Sequence, residues 1–373
     1  MRLLYVTDAL AIWGGLERIL VEKANFLAEK CGYDVHFITV NQGSHQVLFP
    51  LSPQVHYTDL DIRFHQQYEY KGLWRLMKKM ELKRLFIERL RKYVHDITPD
   101  IILTARLPLI PGIVAVKGNI PLIYESHSSY ISELYLSNGR FVQLKSRYIN
   151  RNVRYAQMVV ALTDGDASEW KRIASNVCVI PNIVSLNKSG LYSNCNSKVV
   201  IFVGRFSKQK DIHSLLKIWS IVSSRFPDWH LHIYGGFGEE QTYFVDYIKN
   251  KYTSIDIFPP TNKIFDKYRE SSMLILTSLF EPFGLVLPEA MSCGLPVVAF
   301  DCPYGPRDII RDGIDGFIID NRDVNKFAEK VCLLMGNHDL RVKMGNEGIK
   351  SSSRYEETKI MPKWVQLFQS LVE

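Results

Sequence analysis

The sequence predicts an α/β protein of two similar-sized halves that face one another, each built on a parallel sheet. Three observations lead there. The chain has 373 residues, and at ~150 residues per domain that suggests about two domains. Its short apolar runs are rich in Val, Ile and Leu and continuous rather than alternating, as in strands buried on both faces of a parallel sheet. Amphipathic stretches separate the runs, so they read as successive βαβ units.

In order along the first half, strands are expected at Arg2–Thr7, Val35–Val40, Ile101–Thr104, Leu122–Glu125, Met158–Leu162 and Val177–Ile180. In the second half they are expected at Val199–Val203, Leu231–Tyr234, Met273–Leu276, Val297–Phe300 and Phe317–Ile319. The rhythm restarts once. A strand ends at Ile180-Pro181, and a polar, turn-rich stretch reaches Lys198 before the fresh strand VVIFVG. The domains are therefore expected at 1–183 and 184–355. Residues 356–373 close the chain with a helix, apolar at Ile360, Trp364, Leu367, Phe368 and Leu371.

Composition bounds the class. With 46% hydrophobic and 23% charged residues the chain is globular, not disordered. Its six cysteines form no CxxC pair, which speaks against a zinc knuckle or redox pair and suits free thiols in a reducing cytoplasm. MRLLYVTD has no apolar region behind a basic start, and no apolar run approaches ~18 residues, so neither signal peptide nor membrane span is expected. Basic residues number 46 against 39 acidic, for a net +7. Nine of the basic and two of the acidic residues lie between Lys71 and Lys92, leaving 37 of each elsewhere. An acidic partner is expected at that segment. No basic–aromatic reader motif appears, so nucleic acid is not expected.

Three stretches carry candidate chemistry. In TDALAIWGGLERIL a strand runs through Gly14 and Gly15 into a helix. Paired glycines let backbone approach a ligand, and the helix start offers free N–H groups; a tight turn is the equal alternative. The spacing is not GxGxxG followed by an acid ~20 residues on, which disfavours a nicotinamide-dependent oxidoreductase. VVIFVGRFSKQKD ends a buried strand at Gly204, with Arg205 and Lys210 beyond its carboxyl end. Open α/β sheets bind ligands there, and two nearby cations can clamp a diphosphate. LTSLFEPFGLVLPEAMSCG puts Glu281 just before a helix expected at Leu285–Cys293, with Glu289 about one turn in. Loop amides can bind an anion and a carboxylate can accept sugar hydroxyls, although capping alone would explain the pattern.

Glu281-Pro282-Phe283-Gly284, Glu289 eight positions on, the Gly204-Arg205…Lys210 loop, Ile180-Pro181-Asn182 and Gly14-Gly15-x-Glu17-Arg18 together resemble glycosyltransferase family 4. The motifs run in family order over nearly the whole chain. The resemblance implies a retaining, nucleotide-sugar-dependent enzyme of the GT-B fold. That fold has two Rossmann-like domains with parallel sheets across a cleft, and a last helix, here 356–373, that crosses back onto the N-terminal domain. The N-terminal domain would take the acceptor and the C-terminal domain the donor. Arg205 and Lys210 would bind the diphosphate and neutralise the departing nucleotide. Glu289 would bind the ribose, and Glu281 would contact the donor sugar. Amides of Phe283, Gly284 and Leu285 would touch the diphosphate or sugar, and Gly14 and Gly15 would lie near the phosphates and acceptor. His127, in YESHSSY, would contact the transferred sugar or reaction centre; taken alone, a His at a strand end is more often structural.

The sequence departs from the family pattern in places. Asp211 follows Lys210 where the family often has Gly. The loop YGGFGEE stands where Gly-Asp-Gly-Pro is commoner, which puts base recognition from Gly235 to Gly238 in doubt. Asp308 takes the place of the usual Glu after DCPYGP. The Cys-Pro-x-Gly-Pro form resembles the branch that extends lipid-linked or surface oligosaccharides from UDP donors.

KGLWRLMKKMELKRLFIERLRK reads as a helix with an apolar stripe of Leu73, Leu76, Met77, Met80 and Ile87, flanked by Trp74. Lys71, Arg75 and Lys78 lie on the other face. Such a helix can rest on an anionic membrane or meet the pyrophosphate of a lipid-linked glycan, and it is similar to the family's basic acceptor helix. A packed helix with a solvated basic face is the alternative.

The function this implies is transfer of a hexose or N-acetylhexosamine from a UDP-sugar to a lipid-linked or surface glycan, in polysaccharide or lipopolysaccharide synthesis. No metal or cofactor is expected to be required. A monomer in peripheral contact with the inner face of the cytoplasmic membrane is expected. A GDP-mannose-dependent mannosyltransferase, a nucleotide-sugar epimerase of the same fold and a non-catalytic nucleotide-sugar binder are the alternatives.

Overall fold

The structure is a computed structural model, described over residues 1–11, 14–135, 142–236 and 238–373. The chain divides into unit 1, Met1–Ile183 with Ile360–Glu373, and unit 2, Val184–Lys359.

Unit 1 runs β1 (Arg2–Thr7), α1 (Gly15–Cys31), β2 (Asp34–Thr39), β3 (Val55–Asp59), α2 (Gly72–Ile97), β4 (Ile101–Thr104), α3 (Ile110–Val114), β5 (Leu122–Ser126), α4 (Tyr130–Tyr135), α5 (Val142–Val153), β6 (Met158–Ala161), α6 (Asp164–Trp170) and β7 (Val177–Val179). Its seven strands are all parallel, in the order β3-β2-β1-β4-β5-β6-β7. On one face Leu4, Ile102, Tyr124 and Val159 pack against Phe86 and Leu90 of α2, Ile113 of α3, Ile149 of α5 and Trp170 of α6.

Unit 2 runs β8 (Val199–Arg205), α7 (Ile212–Arg225), β9 (His230–Gly236), α8 (Gln241–Lys251), β10 (Ile255–Phe258), α9 (Ile264–Arg269), β11 (Met273–Leu276), α10 (Val286–Ser292), β12 (Val297–Phe300), α11 (Gly305–Ile309), β13 (Gly316–Ile319), α12 (Val324–Gly336) and α13 (His338–Ser352). Its six strands are also parallel, ordered β10-β9-β8-β11-β12-β13. Val200, Ile233, Ile275 and Val298 meet Leu215 and Trp219 of α7 and Phe327 and Leu334 of α12. A final helix, α14 (Glu357–Val372), buries Ile360, Trp364, Leu367 and Phe368, with Phe368 against Tyr33 of unit 1.

Two strands escape the sequence pattern. β3 (VHYTD) and β10 (IDIF) are edge strands that each bury one residue fully and leave the rest half-covered or exposed, and polar residues break their apolar runs, unlike those of the edge strands β7 and β13. They lack the continuous apolar run that marks a central strand.

The basic helix is α2, and the face it packs into the core is a different stripe from the one read in the sequence. Leu82, Phe86, Leu90 and Val94 are the buried residues. Leu73, Trp74, Leu76, Met77 and Met80 are exposed, Leu73 at 71% and Trp74 at 68%, and Ile87 is half-buried. The first turns of α2 therefore present both their apolar and their basic residues to solvent.

Candidate active site

Topology picks out the site. Strand order reverses between β8 and β11 in unit 2 and between β1 and β4 in unit 1, and such switch points bind ligands at the strand carboxyl ends.

In unit 2 the loops after β8 and β11 are tied together. The Thr277 hydroxyl donates to the Lys210 carbonyl (2.8 Å), the Leu279 N–H to the Gln209 carbonyl (2.8 Å) and the Gln209 amide to the Phe280 carbonyl (3.1 Å). The Lys210 ammonium lies 2.5 Å from the Glu281 carboxylate, which also accepts from the Ser278 hydroxyl at 3.0 Å. Lys210 and Glu281 are thus brought together. Gly204 makes room for this: a Cβ there would stand 3.3 Å from three carbons of the Lys210 stem. Gly235 pairs in register with Gly204, and a Cβ on it would meet the Gly204 carbonyl oxygen at 2.1 Å. Close strand approach therefore requires glycine at 235. Phe237, in the loop that follows, lies outside the described residues.

Arg205 ends β8 and is exposed, with no carboxylate within ion-pair distance among the described residues. Glu289 is buried on α10 and accepts from the Tyr268 hydroxyl at 3.1 Å. The Phe283 ring is core, edge-on to Tyr355, so any ligand contact falls to its backbone. Gly284 has a φ of 96°, and Leu285 stands just before α10 with its carbonyl accepting from the Glu289 N–H. The Glu281 carbonyl accepts from the N–H groups of Tyr304 and Gly305.

Two residues missed in the sequence brace these loops. Asp211 takes a left-handed conformation (φ 49°), accepts from the Ser214 N–H at the start of α7 and pairs with Arg322. Arg322 also donates to the carbonyls of Thr277 (2.9 Å) and Ser278 (2.8 Å) and lies over the Phe300 ring. One guanidinium therefore holds both loops.

In unit 1, Asp8 follows β1 and Arg106 follows β4. Arg106 pairs with Asp8 (3.1 Å) and with Glu17 in the first turn of α1 (3.2 Å). Burial pushes the Asp8 carboxyl up, against the pull of Arg106. Gly14 precedes α1 in an extended conformation and Gly15 begins it, exposed. His127 follows β5 and is not isolated: its Nε2 is 3.2 Å from Glu125 Oε2, and Glu125 pairs with Lys23 of α1. Asp8, Lys23, Arg106 and Glu125 were not singled out in the sequence, and Glu17 stood there only within the Gly14-Gly15-x-Glu17-Arg18 motif. The signal for two of them is position, since Asp8 and Glu125 stand at strand carboxyl ends.

On α2, Lys71 precedes the first turn, Arg75 lies over the Tyr68 ring at 4.5 Å, and Lys78 pairs with Glu81 at 2.7 Å. Solvent screens both exposed contacts. A second basic stretch is α5 and the residues just after it, where Arg147, Arg151 and Arg154 line a depression of about 470 Å³ with Asn150 and Tyr155. No carboxylate pairs with these arginines among the described residues. Among the described residues the cluster close enough to hold a metal is Asp34, His36 and His56, at the amino ends of β2 and β3 and away from the site. Arg2 holds Asp34 (2.5 Å) and the Tyr93 hydroxyl meets His36 (3.0 Å), so it reads as an ion-pair network.

Two family models match the chain, Glycosyltransferase Family 4 over residues 13–188 and Glycosyl transferases group 1 over 187–351. An uncharacterized glycosyltransferase of Haemophilus influenzae is 27% identical, over 94% of this chain and 95% of the relative. The amylovoran biosynthesis glycosyltransferase AmsD of Erwinia amylovora is 28% identical, over 97% and 98%. A Campylobacter jejuni α-1,4-N-acetylgalactosaminyltransferase acting on a diNAcBac-PP-undecaprenol-linked glycan is 22% identical, over 95% and 94%. Among solved structures, Staphylococcus aureus TarM in complex with UDP aligns with a TM-score of 0.82 over 98% and 99% of the two chains, at 15% identity. Anabaena HepE in complex with UDP-glucose aligns with a TM-score of 0.75 over 99% and 100%, at 18% identity.

Proposed function

The chain belongs to glycosyltransferase family 4 and has the GT-B fold, and from that premise we propose that it transfers a hexose or N-acetylhexosamine from a UDP-sugar, with retention, to a lipid-linked glycan during cell-surface polysaccharide synthesis. The observation that carries this reading is the Lys210–Glu281 pair, held between two tied loops at the switch point of unit 2, with Arg205 exposed beside it in sequence.

Arg205 and Lys210 supply the charge a leaving diphosphate needs, aimed where negative charge develops. Donor binding divides the pair: Lys210 turns to the phosphate and Glu281 to the sugar. The bond from the anomeric carbon to the phosphate oxygen breaks, and the acceptor oxygen bonds on the same face. The acceptor proton passes to the departing phosphate. Glu289 holds the ribose hydroxyls. Arg205 and Lys210 do the neutralising, and the reading calls for no metal.

Similarity supports the donor and acceptor classes. Fold neighbours hold UDP or UDP-glucose, and full-length relatives make amylovoran or extend an undecaprenol-linked glycan with an α linkage. The exposed apolar and basic residues of α2 suit an anionic membrane that carries such an acceptor.

Calorimetry with UDP, GDP, ADP and dTDP, repeated on Glu289→Ala, tests the reading. The expected result is a selective UDP response lost in the variant. A GDP preference redirects the assignment to mannosyl transfer, and no response to any nucleotide overturns it.

A further inference from the structure

His127 is backed by two buried charged groups. Glu125 Oε2 faces both His127 Nε2 and the Lys23 ammonium. The Lys23 and Glu125 side chains are each only 2% exposed. Lys23 is in turn capped by aromatic rings, 3.7 Å from the centre of Trp364 on α14 and 5.4 Å from that of Tyr5 on β1. Glu125 Oε1 is buried without a hydrogen-bond partner, so Lys23 and His127 are what orient this carboxylate.

We propose that Lys23 and Glu125 are a buried positioning pair that fixes the His127 ring with hydrogen on Nε2, leaving Nδ1 as an acceptor toward the substrate. The proposal rests on the reading of His127 as a reaction-centre residue.

The chemistry of the pair leads there. Burial pushes the Glu125 carboxyl up, but Lys23 and His127 outweigh it and hold the group below the ordinary carboxylate range. An ionised carboxylate only accepts hydrogen bonds, so His127 Nε2 is the donor. In a neutral imidazole this leaves the lone pair on Nδ1. Glu125 alone favours the imidazolium, because an opposite charge stabilises the charged form. Lys23 opposes that pull from the same carboxylate oxygen. A buried ion pair adds little net stability, so a positioning role accounts for its retention better than a stabilising one. The other charges at this edge are engaged elsewhere. Asp8 and Glu17 pair with Arg106, and Asp166 of α6 accepts from Ser126 and Trp170.

The test is a two-bond ¹H–¹⁵N titration of the histidine-labelled full chain, with His127 assigned by its loss in His127→Gln, beside the pH dependence of kcat/KM. The native ring is expected as the Nε2–H tautomer. Lys23→Met moves the His127 midpoint up by about one pH unit and Glu125→Gln moves it down by about one, and the acid limb of kcat/KM follows each. In the double variant the midpoint returns to within about half a unit of the native value while the tautomer preference is lost, which keeps the test open if a single variant does not fold. An Nδ1–H tautomer in the native chain, or single variants whose midpoints move together or not at all, overturns the proposal. Opposite midpoint shifts with an unmoved kcat/KM uphold the pair's control of the ring and overturn instead the placing of His127 at the reaction centre.

Discussion

Asp211 sits where the family pattern often has glycine, and its left-handed backbone explains the preference. A residue with a Cβ pays about 1–2 kcal/mol for that conformation. Here the side chain offsets the cost, capping α7 for about 1 kcal/mol and pairing with Arg322. Chemical denaturation should find Asp211→Ala destabilising by about 2 kcal/mol and Asp211→Gly by about 1, because glycine loses the cap but not the conformation. Equal losses would remove the backbone argument. Lys210→Ala should lower kcat at least 10²–10³-fold, roughly the effect of deleting a donor aimed at developing charge. Near-native turnover with an intact fold would sink its proposed role. Arg205 with Lys210, and Glu281 with Glu289, could be singled out in the sequence because each pair lies within one short window. Lys23 with Glu125, and Asp211 with Arg322, could not, because 102 and 111 residues separate the partners. No window of sequence contains either pair.

Central strands were legible as elements because burial on both faces leaves an apolar run, as in Ile101–Thr104 and Val297–Phe300. β3 and β10 were not, since polar residues break the runs of these part-buried strands. In α2 the helix was legible and its orientation was not. Two apolar stripes share it, one through Leu82, Phe86, Leu90 and Val94 and one through Leu73, Met77 and Met80, and periodicity alone does not say which meets the sheet. Packing answers this. Phe86 lies against α3, where a Cβ added to Gly112 would stand 2.3 Å from its ring. Phe86→Ala should therefore cost about 3–5 kcal/mol and Gly112→Ala about 1–3, whereas Trp74→Ala stays within about 0.5. A Trp74→Ala loss as large as that of Phe86→Ala would mean the exposed stripe is covered after all.

Charge on the whole molecule is less concentrated than the 71–92 count suggests. Residues 134–163 carry five basic and no acidic side chains, so a second basic segment is balanced by acidic excess elsewhere. The structure joins the two segments: α2, α3 and α5 contribute to one core cluster on one face of the first sheet. That face carries Lys83, Arg84 and Arg91 of α2, Arg147 and Arg151 of α5 and Arg154 just after it, beside exposed Met80, Leu144, Tyr148 and Tyr155. Guanidinium groups without carboxylate partners repel one another; on the proposed membrane reading an anionic surface would relieve this and the apolar residues would enter the headgroup layer. Among the described residues no helix is long and apolar enough to cross a membrane. Flotation with vesicles containing phosphatidylglycerol should capture the protein, and phosphatidylcholine alone should not. Salt should weaken capture as the screening length falls from ~10 Å at 0.1 M to ~3 Å at 1 M. Arg75→Glu with Lys78→Glu should weaken it at least tenfold, at about 1 kcal/mol for each basic residue near the surface, and should impair a lipid-linked acceptor more than a soluble one. Arg147→Glu with Arg151→Glu should weaken it comparably if the whole face docks. Loss from α2 alone would restrict the contact to that helix, and capture insensitive to both pairs would remove the membrane reading.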